Sequence, residues 1–284
     1  MSREAIAAAF MAACREELEA PKPGNVHVFA ASRKNVDLFV RSAAAAAGPL
    51  TAPRERTGAR ILGAVEATLA AVGTNTNLGI ILLCAPLAVA AETGRADLRA
   101  TLQHVLDELD VEDARLAFTA IGRAAPGGLG RVAHHDVRAP ATVTLRHAMA
   151  QASGRDQIAR QYVTAFDAVF SLGLDLAAAA QQRWRCGPST ALWMFLGFLA
   201  AFDDTHVVRE HGRVVAGDIR RYAVSLGERL RRAADWRDVL PELLAWDQSL
   251  KHRAINPGTS ADLTVATLFV CRLQNILPFV HNND

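Results

Sequence analysis

Ala-rich segments whose apolar residues lie three and four positions apart recur along the whole chain. This spacing is the periodicity of an α-helix, and alanine both favours helix formation and lets neighbouring helices approach closely. Period-two runs of β-branched residues, which indicate strands, are hard to find. The pattern predicts an all-α bundle with helices at residues 2–20, 36–47, 58–72, 78–92, 96–108, 111–122, 142–151, 156–182, 189–202, 214–233, 237–251 and 260–276.

The connections between these segments are short. They consist of Gly, Pro and Asn residues, as at Pro21 to Asn25, Gly73 to Asn77 and Asn256 to Gly258, and no long linker or internal repeat is found. With 284 residues and 51% hydrophobic content, the chain is long enough to bury a sizeable core. We therefore predict a single helical domain over residues 1–284, with a homodimer as an expected assembly.

Charge and the length of the apolar runs limit the partners. The formal net charge is +2, from 31 basic and 29 acidic residues spread along the sequence, and no basic stripe indicates nucleic acid. The longest apolar runs, Leu78–Ala91 and Ala191–Phe202, are shorter than the roughly 20 residues that cross a bilayer. The pattern is typical of a cytoplasmic protein that binds small molecules. The widely spaced cysteines agree with buried, reduced thiols: Cys14, Cys84, Cys186 and Cys271.

Polar residues are concentrated where the predicted helices begin and end. The motif GTNTNLG places Thr74, Asn75, Thr76 and Asn77 directly before an almost wholly apolar helix. One such side chain is enough to cap a helix, and the remaining ones are free for a ligand. Because helix N-termini present free N–H groups and favour anions, this junction is predicted to bind a phosphate-bearing ligand.

Two further junctions carry charged residues. The helix before GTNTNLG contains Arg60 and Glu66, and Glu66 is the only acid between Glu55 and Glu92. It is interpreted either as a solvent-facing residue or as a carboxylate for metal or proton chemistry. The motif PKPGNVH supplies Lys22, Asn25 and His27, either as a plain helix-to-helix turn or as a cation and neutral donors for a ligand.

The motif DDTHVVREHG follows an apolar helix. Asp203, Asp204 and Arg209 suit a Mg²⁺-phosphate complex, and the alternative is a polar helix end. His206 and His211 lie five residues apart with no cysteine nearby, so zinc is not expected.

The last motifs are INPGTSADL and PGGLGRV. In the first, Ser260 or Thr259 is predicted to cap a helix whose first turn holds Asp262. The second, Pro126 to Val132, is predicted to be a mobile or tightly bent loop in which Arg131 contacts an anion.

In chain order, PKPGNV, the Arg60–Glu66 helix running into GTNTNLG, DDTHVVR and NPGTSADL resemble the ATP:dephospho-CoA triphosphoribosyltransferase family. The resemblance extends from residue 21 to about residue 272. The family members that the chain resembles are the divergent ones found in methanopterin-using methylotrophs and methanogens. It implies an all-α cytoplasmic enzyme of coenzyme biosynthesis. In that reaction ATP gives its ribosyl triphosphate to the 2'-hydroxyl of dephospho-CoA, adenine leaves, and the product is a prosthetic-group precursor.

The resemblance and the residue types together give a site hypothesis. Mg²⁺ is assigned to Asp204 with Asp203 or Glu66, and Asp262 or Glu66 is the proton acceptor or charge stabiliser. Glu66, Asp204 and Asp262 are thus the predicted catalytic residues. ATP and its phosphates are assigned to Lys22, Asn25, His27, Arg60, Thr74, Asn75, Thr76, Asn77, Arg209 and Ser260.

Two alternative functions stay open. One is a ribosyl- or phosphoribosyl-type transferase acting on a one-carbon cofactor intermediate of the methanopterin or methanofuran type. The other is a non-catalytic nucleotide-binding protein.

Overall fold

A computed structural model describes residues 1–30, 34–126, 137–184 and 187–275. In these residues the regular structure is helical and no strand occurs, which confirms the all-α prediction. The helices are α1 Arg3–Leu18, α2 Lys34–Leu50, α3 Thr57–Val72, α4 Leu78–Glu92, α5 Leu98–Asp107, α6 Val111–Ala124, α7 Leu145–Ala152, α8 Gln157–Val163, α9 Leu174–Trp184, α10 Pro188–Ala201, α11 Thr205–Arg232, α12 Leu240–His252 and α13 Gly258–Leu273. A π-helical segment, Ala168–Gly173, precedes α9, and a 3₁₀ turn, Trp236–Val239, precedes α12.

The chain divides into two compact units. The first unit comprises Met1–Met11 and Asp37–Asp167, and the second comprises Ala12–Val36 and Ala168–Asp284. The first unit holds α3 to α8 and the second holds α9 to α13, while α1 and α2 contribute residues to both.

The first unit is built around α4, which is apolar on all faces and almost entirely buried. Such a helix needs neighbours on every side, and α3, α5 and α8 pack against it. The buried Tyr162 hydroxyl of α8 donates a hydrogen bond to the Leu82 carbonyl of α4 at 2.6 Å. Leu83 and Cys84, also on α4, are 0% exposed. The predicted core helix is therefore confirmed as an interior helix.

Helices α3 and α6 are in close contact at Gly58. The Gly58 N–H donates to Asp113 Oδ1 at 2.8 Å, and a Cβ at Gly58 would lie 2.7 Å from the Asp113 Cα. Backbone atoms cannot move aside as a flexible side chain does. This contact therefore requires glycine.

We expect Gly58→Ala to destabilise the protein by about 2–3 kcal/mol, because α3 and α6 would have to separate. The matched control is Gly122→Ala on the exposed face of α6, where a Cβ would meet nothing within 4 Å. That variant should be neutral or more stable by up to about 1 kcal/mol. Denaturant unfolding measures the free energy of unfolding of both variants. Equal stabilities would contradict the close approach of α3 and α6 at Gly58.

The second unit is built around α13, which is buried along nearly its whole length. It packs against α10 and against the π-helical segment. A Cβ at Gly173 of that segment would lie 2.5 Å from Thr267 Oγ1, so glycine permits the contact. The polar motifs DDTHVVR and NPGTSADL lead into α11 and α13. These two helices therefore fix the positions of the polar residues in both motifs.

Two predicted helix boundaries are wrong. Residues 156–182 were expected to form one helix, but Ala165 and Phe166 have φ values of 49° and 56° and end α8. Phe166 is 0% exposed, and burial of its ring outweighs the helix preference of the local sequence. Helix α11 was expected from residue 214 and begins at Thr205, with a kink at Gly212, whose φ is 84°.

The described cysteines Cys14, Cys84 and Cys271 are buried, as predicted, and Cys186 lies outside the described residues. Among the described helices, none is by itself both long and apolar enough to cross a membrane. Two bent helix pairs meet the criteria of length and composition only when their members are taken together.

Candidate functional site

The turn between α3 and α4 carries the four consecutive polar residues. Gly73 ends α3 in the left-handed conformation, with φ of 74°, and its N–H donates to the Leu69 carbonyl at 2.8 Å. Asn75 Oδ1 then accepts from the Leu78 N–H at 3.2 Å, so Asn75 caps the start of α4. Thr76 Oγ1 donates to Ser42 Oγ of α2 at 2.6 Å, and Thr74 is exposed. Capping therefore occupies one of the four polar side chains, as expected.

Asn77 is the unusual member of this turn. It is only 5% exposed, its side chain makes no capping bond, and Nδ2 has no hydrogen-bond partner. A buried amide without a partner costs about 1–3 kcal/mol, so native proteins rarely retain one without a use for it. Asn77 lies at the N-terminus of α4, where the first-turn N–H groups of Gly79 and Ile80 have no acceptor within the helix. The turn therefore offers several donors to an acceptor-rich ligand.

One side chain of α3 and one of α2 lie near the C-terminal end of α3. Thr68, one turn before the end of α3, is 2% exposed, and its hydroxyl has no hydrogen-bond partner. Arg41 of α2 donates a hydrogen bond to the Ala71 carbonyl, which brings a guanidinium cation to the C-terminal end of α3. Arg41 carries no sequence signal, because only the fold brings α2 to the end of α3.

Arg60 does not lie at this turn. At the ordinary helical rise, Arg60 is roughly 18 Å along α3 from Val72. It is 1% exposed, and its guanidinium donates to the carbonyls of Glu55 at 3.0 Å and Leu50 at 3.5 Å and pairs with Glu92. The prediction that Arg60 and the Thr74–Asn77 turn hold one triphosphate is therefore corrected, and Arg60 ties the far ends of α3 and α4 together.

Glu66 lies on the exposed face of α3. Its side chain is 43% exposed and forms an ion pair with Arg123 of α6. This position agrees with the solvent-facing interpretation of the sequence. Within the first unit, Glu66 is roughly 9 Å along α3 from Val72, so it is not part of the turn.

In the second unit, Lys22 is a buried structural cation. It is 0% exposed, and Nζ lies 2.8 Å from Glu17 Oε1. Its remaining hydrogens go to Asn25 Oδ1 at 3.4 Å and to the Val26 carbonyl. Burial lowers the pKa of Lys22 and raises that of Glu17, while the pairing opposes both shifts. All three ammonium hydrogens are used, so Lys22 as described does not present its charge to a phosphate.

The motif PKPGNVH packs directly on INPG. Asn25 Nδ2 donates to Asn256 Oδ1 at 2.8 Å. A Cβ on Gly24, whose φ is 83°, would lie 2.7 Å from the Ile255 carbonyl oxygen and 2.8 Å from the Pro257 ring. Two junctions that are more than 200 residues apart in sequence therefore form one polar cluster.

His27 lies in the same cluster, against α12. It is 0% exposed, and Nε2 lies 3.2 Å from Asp247 Oδ1. Asp247 also accepts from the Gly24 N–H at 2.9 Å and from Lys251 Nζ at 2.8 Å. Asp247 was not predicted as a site residue. Its one local signal is the spacing of an acid and a lysine four residues apart in WDQSLKH.

Asp204 connects DDTHVVR to NPGTSADL. It is 1% exposed and caps α11, with Oδ1 accepting from the N–H groups of His206 at 3.0 Å and Val207 at 3.2 Å. Oδ2 accepts from both the N–H and the hydroxyl of Ser260 at 2.8 Å each. A carboxylate offers about four lone-pair positions, and protein donors fill all of them.

The other polar residues of these two motifs lie near the starts of α11 and α13. Asp203 is half-buried and lies 3.4 Å from Arg220 Nη1. Thr259 and Ser260 lie inside the first turn of α13, whose cap residue is Pro257, so the predicted cap is wrong. Asp262 lies beyond that turn, and Asp262 and Arg209 are both half-buried.

The predicted magnesium site has no geometric support from Asp203, Asp204 and Glu66. Asp204 is saturated with donors, Asp203 faces Arg220 and Glu66 faces Arg123. In the described part of the chain, no three His, Cys, Asp or Glu side chains form a group suited to a metal ion. The residues present do not fit this assignment. The motif PGGLGRV, with Arg131, lies outside the described residues from position 127.

Comparisons with known proteins agree with the motif order. A family model described as ATP:dephospho-CoA triphosphoribosyl transferase matches residues 3–279. No curated protein gives a significant match to the chain. A solved structure, a candidate triphosphoribosyl-dephospho-CoA synthase from Archaeoglobus fulgidus, is 22% identical, with a TM-score of 0.65 over 82% of this chain and 97% of that one. That likeness shows a shared fold. Because the family model covers nearly the whole sequence, the chain belongs to the ATP:dephospho-CoA triphosphoribosyl transferase family, a family of transferases.

Proposed function

We propose that this protein transfers the triphosphoribosyl group of ATP to the 2'-hydroxyl of dephospho-CoA and releases adenine. The family match supports the transfer, and the Asn77 amide supports the way in which the nucleotide is bound. The unpartnered Asn77 amide is the observation that carries the proposal. A buried N–H donor at a helix N-terminus can donate a hydrogen bond to a phosphate oxygen, and the helix N-terminus favours the negative charge of that oxygen.

In this proposal the triphosphate lies at the start of α4. Asn77 Nδ2 and the N–H groups of Gly79 and Ile80 donate to its oxygens, and the Thr68 hydroxyl completes the donor set. Arg41 supplies a cation at the same turn. Asn75 and Thr76 hold the turn in shape through Leu78 and Ser42.

Chemistry at the ribose requires groups that respond to the developing charge. When adenine leaves C1', positive charge builds on the ribose, and the departing base takes up electrons and a proton. Asp262 keeps its predicted role as a carboxylate that stabilises this charge. Lys22 and Asp204 contribute by fixing the loops of the second unit, since their polar atoms are bound to protein groups.

The direct test is incubation with ATP, with and without dephospho-CoA and with and without added Mg²⁺, followed by chromatography for free adenine. We expect adenine only when ATP and dephospho-CoA are both present, and the Mg²⁺ arm tests the predicted metal requirement. Release of ADP or AMP in place of adenine would contradict the proposal.

The same experiment separates the alternatives. Adenine release without consumption of dephospho-CoA, on addition of a pterin or furan cofactor precursor, would identify the one-carbon transferase. Tight ATP binding with no released product would identify a nucleotide-binding protein without catalysis.

A further inference from the structure

Arg41 of α2 is an exposed arginine that is bonded only to a backbone carbonyl within the described part of the chain. Its guanidinium donates to the Ala71 carbonyl, and no described carboxylate lies within ion-pair distance of it. Arg60 of α3 and Arg123 of α6 differ in this respect, because each of them pairs with a glutamate. Arg41 therefore keeps a positive charge that an anionic ligand can use.

The residue after Arg41 contacts the other end of the turn between α3 and α4. Ser42 is 0% exposed, and its Oγ donates to the Leu38 carbonyl at 2.7 Å and accepts from Thr76 Oγ1 at 2.6 Å. Thr76 directly precedes Asn77, whose buried Nδ2 has no hydrogen-bond partner. Two consecutive residues of α2 thus contact both ends of this turn, and all of these residues belong to the first unit.

The two helix ends that meet at this turn differ in charge. The C-terminal end of α3 presents carbonyls with partial negative charge, and the N-terminal end of α4 presents N–H groups with partial positive charge. A phosphate chain that begins at α4 and extends toward α3 therefore meets an unfavourable field at its far end. The guanidinium of Arg41, bonded to the Ala71 carbonyl, offsets that field and supplies charge-assisted N–H donors.

The exposure of Arg41 indicates which phosphate it meets. Exclusion of water favours bond cleavage at the ribose, so we expect the ribose on the buried side of the site. The γ-phosphate lies at the opposite end of the triphosphate, and as the terminal group it carries the most negative charge. An exposed guanidinium suits this phosphate, because its planar set of donors can bind two phosphate oxygens at once.

We propose that Arg41 binds the γ-phosphate of ATP and thereby selects a triphosphate over a diphosphate. This inference rests on the proposed function, because transfer of an intact triphosphoribosyl group requires ATP and excludes ADP as the donor. Asn77 and the N–H groups at the start of α4 bind phosphates that ATP and ADP share. Arg41 binds the phosphate that only ATP has.

The test compares the binding of ATP and of ADP to the full-length wild type and to Arg41→Gln by calorimetry, in the buffer used for adenine release. This variant keeps a side-chain N–H donor for the Ala71 carbonyl and removes the charge. We expect ATP affinity to fall about 10–100-fold and ADP affinity to be unchanged, because a charge-assisted hydrogen bond to the γ-phosphate is lost. Since Arg41 is exposed, the variant should unfold at the wild-type temperature.

Steady-state transfer to dephospho-CoA provides a second readout that a purely structural role would not give. In Arg41→Gln, KM for ATP should rise by the same factor as the dissociation constant, while kcat stays close to wild type. The reason is that Arg41 contacts the phosphate farthest from the reacting C1' and binds it equally in the ground state and the transition state.

Two further variants separate the charge of Arg41 from its shape and from the net charge of the protein. Arg41→Lys keeps the charge without the planar set of donors, so it should restore part of the preference for ATP. The matched control is Arg115→Gln, which removes an exposed arginine of α6 in the same unit, where it pairs with Glu112. This control should bind both nucleotides as wild type does.

The ratio of the two affinities decides the outcome. Equal losses of ATP and ADP affinity in Arg41→Gln, or an unchanged ratio, would overturn the inference, as would a wild-type protein that binds both nucleotides equally. Absence of adenine release from the wild-type protein would contradict the proposed function itself. A wild type that releases adenine, together with an unchanged ratio in Arg41→Gln, would contradict the role of Arg41 alone.

Discussion

Replacement of Asn77 by alanine is expected to leave the stability of the protein within about 1 kcal/mol of wild type, because Nδ2 has no hydrogen bond to lose. The same change should weaken ATP binding by about 10–100-fold, since a hydrogen bond to a charged group contributes about 1.5–3 kcal/mol. Asn77→Asp should weaken binding further, because a carboxylate at this position repels the triphosphate. Thermal unfolding and ATP titration by calorimetry measure the two effects separately.

The control for Asn77 is Gln103→Ala, which removes a side-chain amide of α5 in the same unit. Gln103 Nε2 donates to Asp107 at 2.8 Å, and this bond has no part in the proposed site. ATP binding should therefore be unchanged in Gln103→Ala. Loss of stability in Asn77→Ala together with unchanged ATP affinity would show that the amide is structural.

Replacement of Asp204 by alanine is expected to destabilise the protein by about 3–5 kcal/mol, since four hydrogen-bond donors lose one buried acceptor. A change of this size lowers Tm by roughly 10 °C in a chain of this length. Asp204→Asn should be intermediate, because its amide keeps one acceptor oxygen and turns an N–H group toward the other donors. Calorimetric unfolding of both variants gives the comparison.

The neighbouring residue provides the control. Asp203 faces Arg220 at 3.4 Å, and its side chain is 26% exposed. Partly exposed ion pairs contribute about 0–1 kcal/mol, so Asp203→Asn should unfold near the wild-type temperature. If Asp203→Asn and Asp204→Asn are equally stable, the hydrogen bonds of Asp204 do not stabilise the contact between α11 and α13.

The periodicity of the sequence predicts most helices to within a few residues, because each amphipathic face matches the core that it covers. It fails where tertiary packing decides. Phe166 is buried through a backbone conformation that ends α8, and nothing local indicates that its ring belongs in the core. Gly212 marks a kink inside α11, whereas the sequence pattern treats it as the end of a polar segment.

The candidate site was only partly predictable, because the partner of a charged residue is fixed by the fold. Lys22 and Arg60 lie in polar motifs, and their charges suggested phosphate binding. In the structure Glu17 and Glu92 neutralise them inside the protein. The order of the motifs identified the family, while the roles of Lys22 and Arg60 within those motifs are structural.

In the proposed reaction the ribose and the triphosphate leave ATP together. This joint transfer is tested most directly with ATP labelled both in the ribose and in the γ-phosphate, incubated with dephospho-CoA. We expect both labels in one acceptor product, with unlabelled adenine formed in equal amount. Labelled ribose that stays attached to adenine, or phosphate label that moves alone, would contradict triphosphoribosyl transfer.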